Sequence, residues 1–131
     1  MKTIRIDVTK KCVEEIDIDD ELETLYESLQ CRVITTVYPI DPLITDQIYV
    51  DDEALLKDVN DLPGGFFIKM FPSQPLLGHG LVIAIDKNTG ERIDCKLTVQ
   101  EVAEQVTFLT DEEVVHYYNT LNEVPPLYYT F

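Results

Sequence analysis

The sequence predicts an α+β fold, built mainly on an antiparallel sheet, with an acidic helix in the N-terminal half and two helices near the C-terminus. Short β-like segments separated by turn residues occupy most of the first 97 positions. Two capping boxes follow in succession, Thr98-x-x-Glu101 and Thr110-x-x-Glu113, each opening a helical pattern. This order of strands and helices indicates an α+β rather than a doubly wound arrangement. Since 131 residues is the size of one domain, we expect residues 1–131 to form a single α+β domain.

The chain opens with a predicted hairpin followed by a helix. Residues 2–9 alternate apolar and polar side chains, which predicts a half-buried strand, and residues 13–18 continue this pattern after a turn at 9–11. The acidic sequence Asp20-x-x-Glu23 resembles a capping box and predicts the start of a helix. The apolar residues that follow recur with a helical period and form one stripe: Leu22, Leu25, Tyr26 and Leu29.

Five more strands are predicted after this helix, at residues 32–38, 47–50, 66–71, 81–86 and 92–97. The run at 81–86, LVIAID, is short and continuously apolar, which predicts a central strand buried on both faces. The tripeptide Asn88-Thr89-Gly90 predicts the turn that joins it to the last strand.

The two C-terminal helices and a short tail complete the prediction. The first helix places its apolar residues at Val99, Val102, Ala103 and Val106, and the second at Val114, Tyr117, Tyr118 and Leu121. Residues 122–131 contain Pro125-Pro126, which excludes a continuous helix. They carry aromatic residues, so we expect a tail that docks on the domain or contacts a partner or a second copy.

The distribution of charge narrows the classes of partner. The formal charge is -15, from 25 Asp and Glu residues against 10 Lys and Arg residues. Residues 12–56 contain 13 acidic residues and a single base, Arg32, and residues 97–131 contain no Lys or Arg. Such a protein repels nucleic acid and anionic membranes and attracts basic surfaces. The longest apolar runs are too short to cross a bilayer, and no signal-peptide pattern opens the chain, so we expect a cytoplasmic protein.

No catalytic or metal-binding pattern stands out, and we expect a non-enzymatic protein without a cofactor or a metal. The only histidines are His79 and His116, and neither belongs to a known catalytic motif. His116 is expected to be a structural or solvent-facing residue of the last helix. Three cysteines without CxxC spacing predict reduced thiols. Asp86, Asn88 and Gly90 imitate the start of a calcium loop, but its sixth and twelfth positions are not Gly and Glu.

The leading site hypothesis is an acidic face that imitates a nucleic-acid backbone. Ordinary surfaces mix both signs of charge, whereas long stretches here lack compensating lysines. Such a face would occupy the groove of a basic nucleic-acid-binding protein, such as a nuclease. A generic acidic domain explains the same pattern equally well. The residues expected to form the face are Glu14, Glu15, Asp17, Asp19, Asp20, Glu21, Glu23, Asp51, Asp52 and Glu53.

The alternative hypothesis is a protein that sequesters a signalling nucleotide. Its pocket would be formed by two glycine-containing loops with adjacent aromatic residues that stack on a base: Gly64, Gly65, Phe66, Phe67 and His79. His79 lies between Gly78 and Gly80, where a ligand could approach the backbone, but a loop histidine between turn residues is the favoured interpretation. A phosphate would also need basic groups that this chain has in small number.

The order of elements up to about residue 94 resembles a domain of unknown function common in proteins of phages, prophages and conjugative elements. The resemblance rests on the opening hairpin and on the stretches ELETLYESLQ, CRVITTVYP, VDDEALLKDVNDLP and GHGLVIAIDKNTGE. The chain departs from that family at Gln30-Cys31 and Gly64-Gly65, where Gly-Gly and Asn-Arg are usual. The resemblance implies an accessory protein of a mobile element. Together with the acidic-face hypothesis, it leads us to expect a protein that acts in the host cytoplasm and inhibits a host nucleic-acid-handling defence protein. Whether the protein forms a homo-oligomer is left open.

Overall fold

The computed structural model describes residues 1–71 and 74–122. Within them the chain forms nine strands and three α-helices, which confirms the α+β prediction. The elements, in chain order, are β1 (Lys2–Asp7), β2 (Cys12–Asp17), α1 (Leu22–Leu29), β3 (Ile34–Val37), β4 (Asp46–Asp51), β5 (Gly65–Ile68), β6 (Leu76–Leu77), β7 (Gly80–Ile85), β8 (Arg92–Ile93), α2 (Val99–Gln105), β9 (Val106–Phe108) and α3 (Asp111–Asn122). The predicted aromatic tail lies, beyond Asn122, outside the described residues.

The larger sheet has the strand order β2-β1-β7-β4-β3, and β8 pairs with the end of β7 that β1 leaves free. All of its pairings are antiparallel. The predicted central strand is confirmed, because β7 lies in the middle and Leu81, Val82, Ile83 and Ala84 are fully buried. Alternation along β7 sends successive side chains to opposite faces, so both faces of the sheet carry a core.

The two faces of the larger sheet are covered by different layers. On one face, Leu25 and Leu29 of α1 pack against Tyr49, Leu81 and Ile83. The other face packs against the smaller sheet, β6-β5-β9, and against α2. There Phe66 and Val102, both fully buried, join the core that Ile4 and Ile6 begin. α3 covers the far end of the smaller sheet through Val114, which packs with Leu77 and Leu109.

Both C-terminal capping boxes are confirmed. The Thr98 hydroxyl accepts a hydrogen bond from the Glu101 amide, and the Glu101 carboxylate accepts one from the Thr98 amide. Thr110 and Glu113 make the same reciprocal pair at the start of α3. These bonds satisfy amide groups that the first turn of a helix leaves without partners.

Four details of the predicted elements are wrong. α1 begins after Glu21 with no side-chain cap, and Asp20 contacts Arg92 instead of closing a capping box. Val106 belongs to β9, because α2 ends at Gln105 and Val106 pairs with Ile68. β5 ends at Ile68, three residues early. The predicted strand at 92–97 is reduced to β8, because Asp46 takes the amides of Lys96 and Leu97 out of any ladder.

No helix among residues 1–71 and 74–122 is long and apolar enough to cross a membrane.

Candidate functional site

The junction of β2 and α1 carries five carboxylates in seven positions, at Asp17, Asp19, Asp20, Glu21 and Glu23. We call residues 17–23 the N-terminal acidic surface. All five side chains are exposed. Two have a cationic partner: Asp17 lies 2.6 Å from the α-amino group of Met1, and Asp20 lies 3.0 Å from Nη1 of Arg92.

The other three acids of this surface have no ion pair within the described parts of the chain. Asp19 accepts a hydrogen bond from the Glu21 amide, and hydrogen bonds from the Thr24 side chain and this amide hold its pKa below the usual value. Asp19 therefore stays ionised and contributes to the order of the helix start. Glu21 and Glu23 lie beside the positive end of the α1 dipole, which favours acids there but does not remove their charge from solvent.

The second acidic group, Asp51 to Glu53, forms a turn at the end of β4 and is largely neutralised within the protein. The Asp51 side chain is 5% exposed, with Oδ2 2.6 Å from Nζ of Lys57, and its Oδ1 accepts the Glu53 amide. Glu53 accepts a hydrogen bond of 2.9 Å from Nε of Arg32. Only Asp52 is exposed without an ion pair in the described structure. Buried and paired carboxylates offer little to a partner, so the prediction of a binding role for Asp51 and Glu53 is not supported by this geometry.

Glu14 and Glu15 point to opposite faces of the edge strand β2. Glu14 pairs in register with Arg5 and Glu15 with Ile4, and adjacent residues of a strand alternate between faces. Oε1 of Glu14 lies 3.9 Å from Nη1 of Arg5, whereas Glu15 is exposed. These two residues do not form one acidic face.

The ten predicted acids therefore occupy separate places. β2 and β4 are three strands apart in the larger sheet, about 14 Å at the usual spacing of hydrogen-bonded strands. The structure brings Asp17 to Glu23 together and leaves residues 51–53 on the far side of β7. The contiguous, uncompensated part of the predicted face is the N-terminal acidic surface.

The predicted nucleotide pocket does not assemble from its five residues. The ring of Phe66 is fully buried, and a Cβ added at Gly80 would lie 2.8 Å from it. Phe67 points to the other face of β5, where its ring meets Tyr117 edge-on with centroids 5.4 Å apart. The two rings cannot stack on one base, which corrects the prediction.

The glycines of that predicted pocket serve close packing. A Cβ at Gly65 would lie 2.8 Å from the carbonyl oxygen of Leu76 and 2.9 Å from Cδ1 of Leu109. Gly64 has φ +146° and accepts the Gly78 amide at 2.8 Å. These glycines let β5 and β6 approach each other, and they leave no space for a ligand beside their backbone.

His79 lies in the short loop before β7, as predicted, and its side chain is buried there in a structural role. It is 1% exposed, and its Nδ1 accepts the Val8 amide at 3.1 Å. Nδ1 therefore carries no proton, and Nε2 donates to Oε1 of Gln30 at 3.3 Å. Burial, helped by the nearby Arg5 cation and opposed by Asp7, lowers the pKa of His79. The neutral ring links Val8, the residue after β1, to Gln30, the C-cap residue of α1.

A cluster of polar residues lies beside His79 and consists of Arg5, Asp7, Lys10 and Gln30. Sequence reasoning missed it because these residues and His79 come from three separate segments of the chain. Asp7 is nearly buried, and its Oδ1 accepts the amides of Thr9 and Lys10. Burial opposes ionisation of Asp7, but the Lys10 amide and the Arg5 charge outweigh it and lower the pKa. The one signal in the sequence is that the charge changes sign twice within a short segment, at Arg5, Asp7 and Lys10.

Asp7 also forms a possible metal-ligand group with Cys12 and Glu14, whose ligand atoms lie within 4.8 Å of one another. Nη1 of Arg5 lies 3.9 Å from a carboxylate oxygen of both acids. The guanidinium already balances the two negative charges, so this geometry does not favour a cation. His116, the other histidine, is exposed on α3 with its ring against Tyr117.

Comparison with known proteins gives a family but no function. A family described as Domain of unknown function (DUF3846) matches residues 1–107. The chain belongs to this family, which covers all elements up to the first two residues of β9. No curated protein and no solved structure matches the chain.

Proposed function

We propose that this member of the family acts by binding rather than by catalysis, and that the N-terminal acidic surface binds a basic protein. The observation that carries the proposal is the exposure of Asp19, Glu21 and Glu23 without an ion pair in the described structure. Charges held in this way attract a cationic surface over a distance of about 8–10 Å at ordinary salt.

The partner class follows from the sign and density of charge. A net charge of -15 repels nucleic acid, so a partner that handles nucleic acid would be a protein with a basic groove. Duplex DNA presents about one phosphate per 1.7 Å of axis, and a basic groove is built for such a density. Five exposed carboxylates within seven residues, three of them without an ion pair in the described structure, offer a short stretch of negative charge of the same kind.

The biological setting of the proposal rests on the family resemblance rather than on the geometry of the surface. The family resemblance supports an accessory protein of a phage or mobile element that acts in the host cytoplasm. There it would inhibit a host nuclease or another nucleic-acid-handling defence protein by occupying its groove. Fast, electrostatically steered association would suit an inhibitor that competes with abundant DNA.

The test compares two variants of equal charge. Glu21→Lys/Glu23→Lys reverses two exposed acids of the surface, whereas the control Glu91→Lys/Glu112→Lys reverses two exposed acids elsewhere. Both variants have a net charge of -11 instead of -15. Binding to a panel of purified host nucleases, and inhibition of their DNA cleavage, is measured at 50 and 300 mM NaCl.

We expect the first variant to bind the tightest nuclease about tenfold or more weakly than the wild type, and the control within about twofold. Higher salt should weaken wild-type binding most. Equal loss in both variants would show that only total charge matters, and binding that neither variant nor salt changes would contradict the proposal.

A further inference from the structure

The polar cluster around Arg5 lines a cleft between the β1–β2 turn and the C-terminal end of α1. The cleft has a volume of about 290 Å³. Six residues line it: Arg5, Asp7, Thr9, Lys10, Gln30 and His79. A cleft of this size holds a small metabolite rather than a nucleotide, since ordinary ligand sites begin near 300 Å³.

Arg5 is the unusual residue of the cleft. Its side chain is 20% exposed, yet its nearest acidic oxygens, on Asp7 and Glu14, lie 3.9 Å from Nη1. This distance is too long for a hydrogen bond. Nε is buried and has no partner in the described structure. A guanidinium that makes no hydrogen bond within the described structure is costly to bury, and an acceptor in the cleft that binds its terminal nitrogens, rather than the enclosed Nε, would offset part of that cost.

The other donors of the cleft are available on the same side. Nε2 of His79 donates to Oε1 of Gln30. The NH2 group of Gln30 therefore has no hydrogen-bond acceptor within the described residues. Lys10 is exposed at the tip of the turn. Arg5, Lys10 and Gln30 together offer donors to an oxyanion.

The acceptors of the cleft limit which oxyanion fits. Asp7 uses Oδ1 for two backbone amides and turns Oδ2 toward Arg5. Glu14, on β2, lies near Asp7 and Arg5 but does not line the cleft. Two acids beside two bases disfavour a dianion such as a phosphate monoester, and the two bases disfavour a simple cation.

We propose that this cleft binds a small zwitterion of the amino-acid type. The carboxylate lies against the Arg5 guanidinium and Lys10, and the ammonium group lies against Oδ2 of Asp7. Each charge of the ligand then meets the opposite charge of the protein. The neutral, buried His79 forms the floor. This site is independent of the acidic surface, which lies at the other end of α1.

The experiment is a titration followed by NMR of the ¹⁵N-labelled full chain. Three probes separate the charges: glycine carries both, acetate only the carboxylate and methylamine only the ammonium. Glycine should shift the Thr9 and Lys10 amide signals in a saturable way, with acetate about tenfold weaker and methylamine without effect. Arg5→Gln should remove the saturable shift, and the control Lys69→Gln, an exposed lysine outside the cleft, should keep it.

The outcome is decisive even if Arg5→Gln fails to fold. Lys10→Gln changes an exposed turn residue and should weaken glycine binding about threefold to tenfold in a folded protein. The proposal is overturned by the absence of saturable shifts with glycine, by equal responses to glycine and acetate, or by unchanged binding in both cleft variants.

Discussion

The two acidic stretches of this protein look alike in sequence and differ in structure. Residues 17–23 place five carboxylates in solvent with two cationic partners, whereas residues 51–53 fold into a turn whose first and last acids are held by Lys57 and Arg32. The cations of the second stretch lie outside it, one of them on the segment before β3. A run of acids therefore stays an exposed charged surface or becomes a structural turn depending on bases that the run itself does not contain.

The largest expected effect on the free energy of unfolding comes from the substitution of Asp51. Asp51→Ala removes a nearly buried carboxylate and leaves Lys57 and the Glu53 amide without their partner. We expect the free energy of unfolding to fall by about 2–3 kcal/mol, below the value for a fully buried pair because Lys57 is partly exposed. Urea denaturation measures it.

The control for this prediction is the next residue along the chain. Asp52→Ala changes an exposed acid without an ion pair in the described structure and should alter stability by about 0.5 kcal/mol or less. Similar losses in both variants would show that the turn is destabilised by any substitution rather than by loss of the ion pair.

The second prediction concerns the pH dependence of stability, which we assign to His79 rather than to either acidic stretch. Burial lowers the pKa of His79 below 6.5, so the unfolded chain takes up a proton first as the pH falls. The contribution of His79 is complete above pH 6.5 and is lost progressively as the pH falls through 6.5 toward the lower, folded-state pKa. We expect the free energy of unfolding to fall between pH 7 and pH 5.

His79→Asn tests the assignment, because the amide oxygen of Asn stands near the position of Nδ1 and can still accept the Val8 amide. Urea denaturation of this variant should show a much flatter dependence on pH between 7 and 5. A slope equal to that of the wild type would assign the effect to other groups.

The smallest expected effect is the neutralisation of the exposed surface. Glu21→Gln/Glu23→Gln removes two charges near the start of α1, each worth about 0.3 kcal/mol through the helix dipole. We expect stability within about 0.6 kcal/mol of the wild type, by the same urea measurement. A loss as large as that of Asp51→Ala would mean that this surface, too, is structural, and the contrast between the two stretches would disappear.

The sequence predicted the elements whose signals are local. The alternation at 2–9, the apolar run at 81–86 and the two capping boxes lie within single segments, and the structure confirms each of them. β9 was missed because its pairing with β5 outweighs the helical period at Val106. The capping box at Asp20 was wrong because Arg92, distant in the chain, binds that carboxylate.

The candidate sites were predictable only in part, for the same reason. The exposure of residues 17–23 agrees with their composition, but the capture of Asp51 by Lys57 and of Glu53 by Arg32 depends on the folded chain. The packing of Phe66 on Gly80 and the cleft around Arg5 also join segments far apart in sequence. The pattern of a single sequence carries no information about such long-range contacts.

The position of β7 has a consequence for how the chain reaches its native state. β7 is the seventh strand to be synthesised, yet β1 and β4 both pair with it. Ile4 and Ile48 therefore reach their native pairing only after Val82 has been synthesised. Contacts between such distant residues close large loops and slow folding to the order of milliseconds to seconds. During synthesis the first strands stay without their central neighbour until most of the domain has left the ribosome. This exposes them to chaperones and to aggregation in that interval.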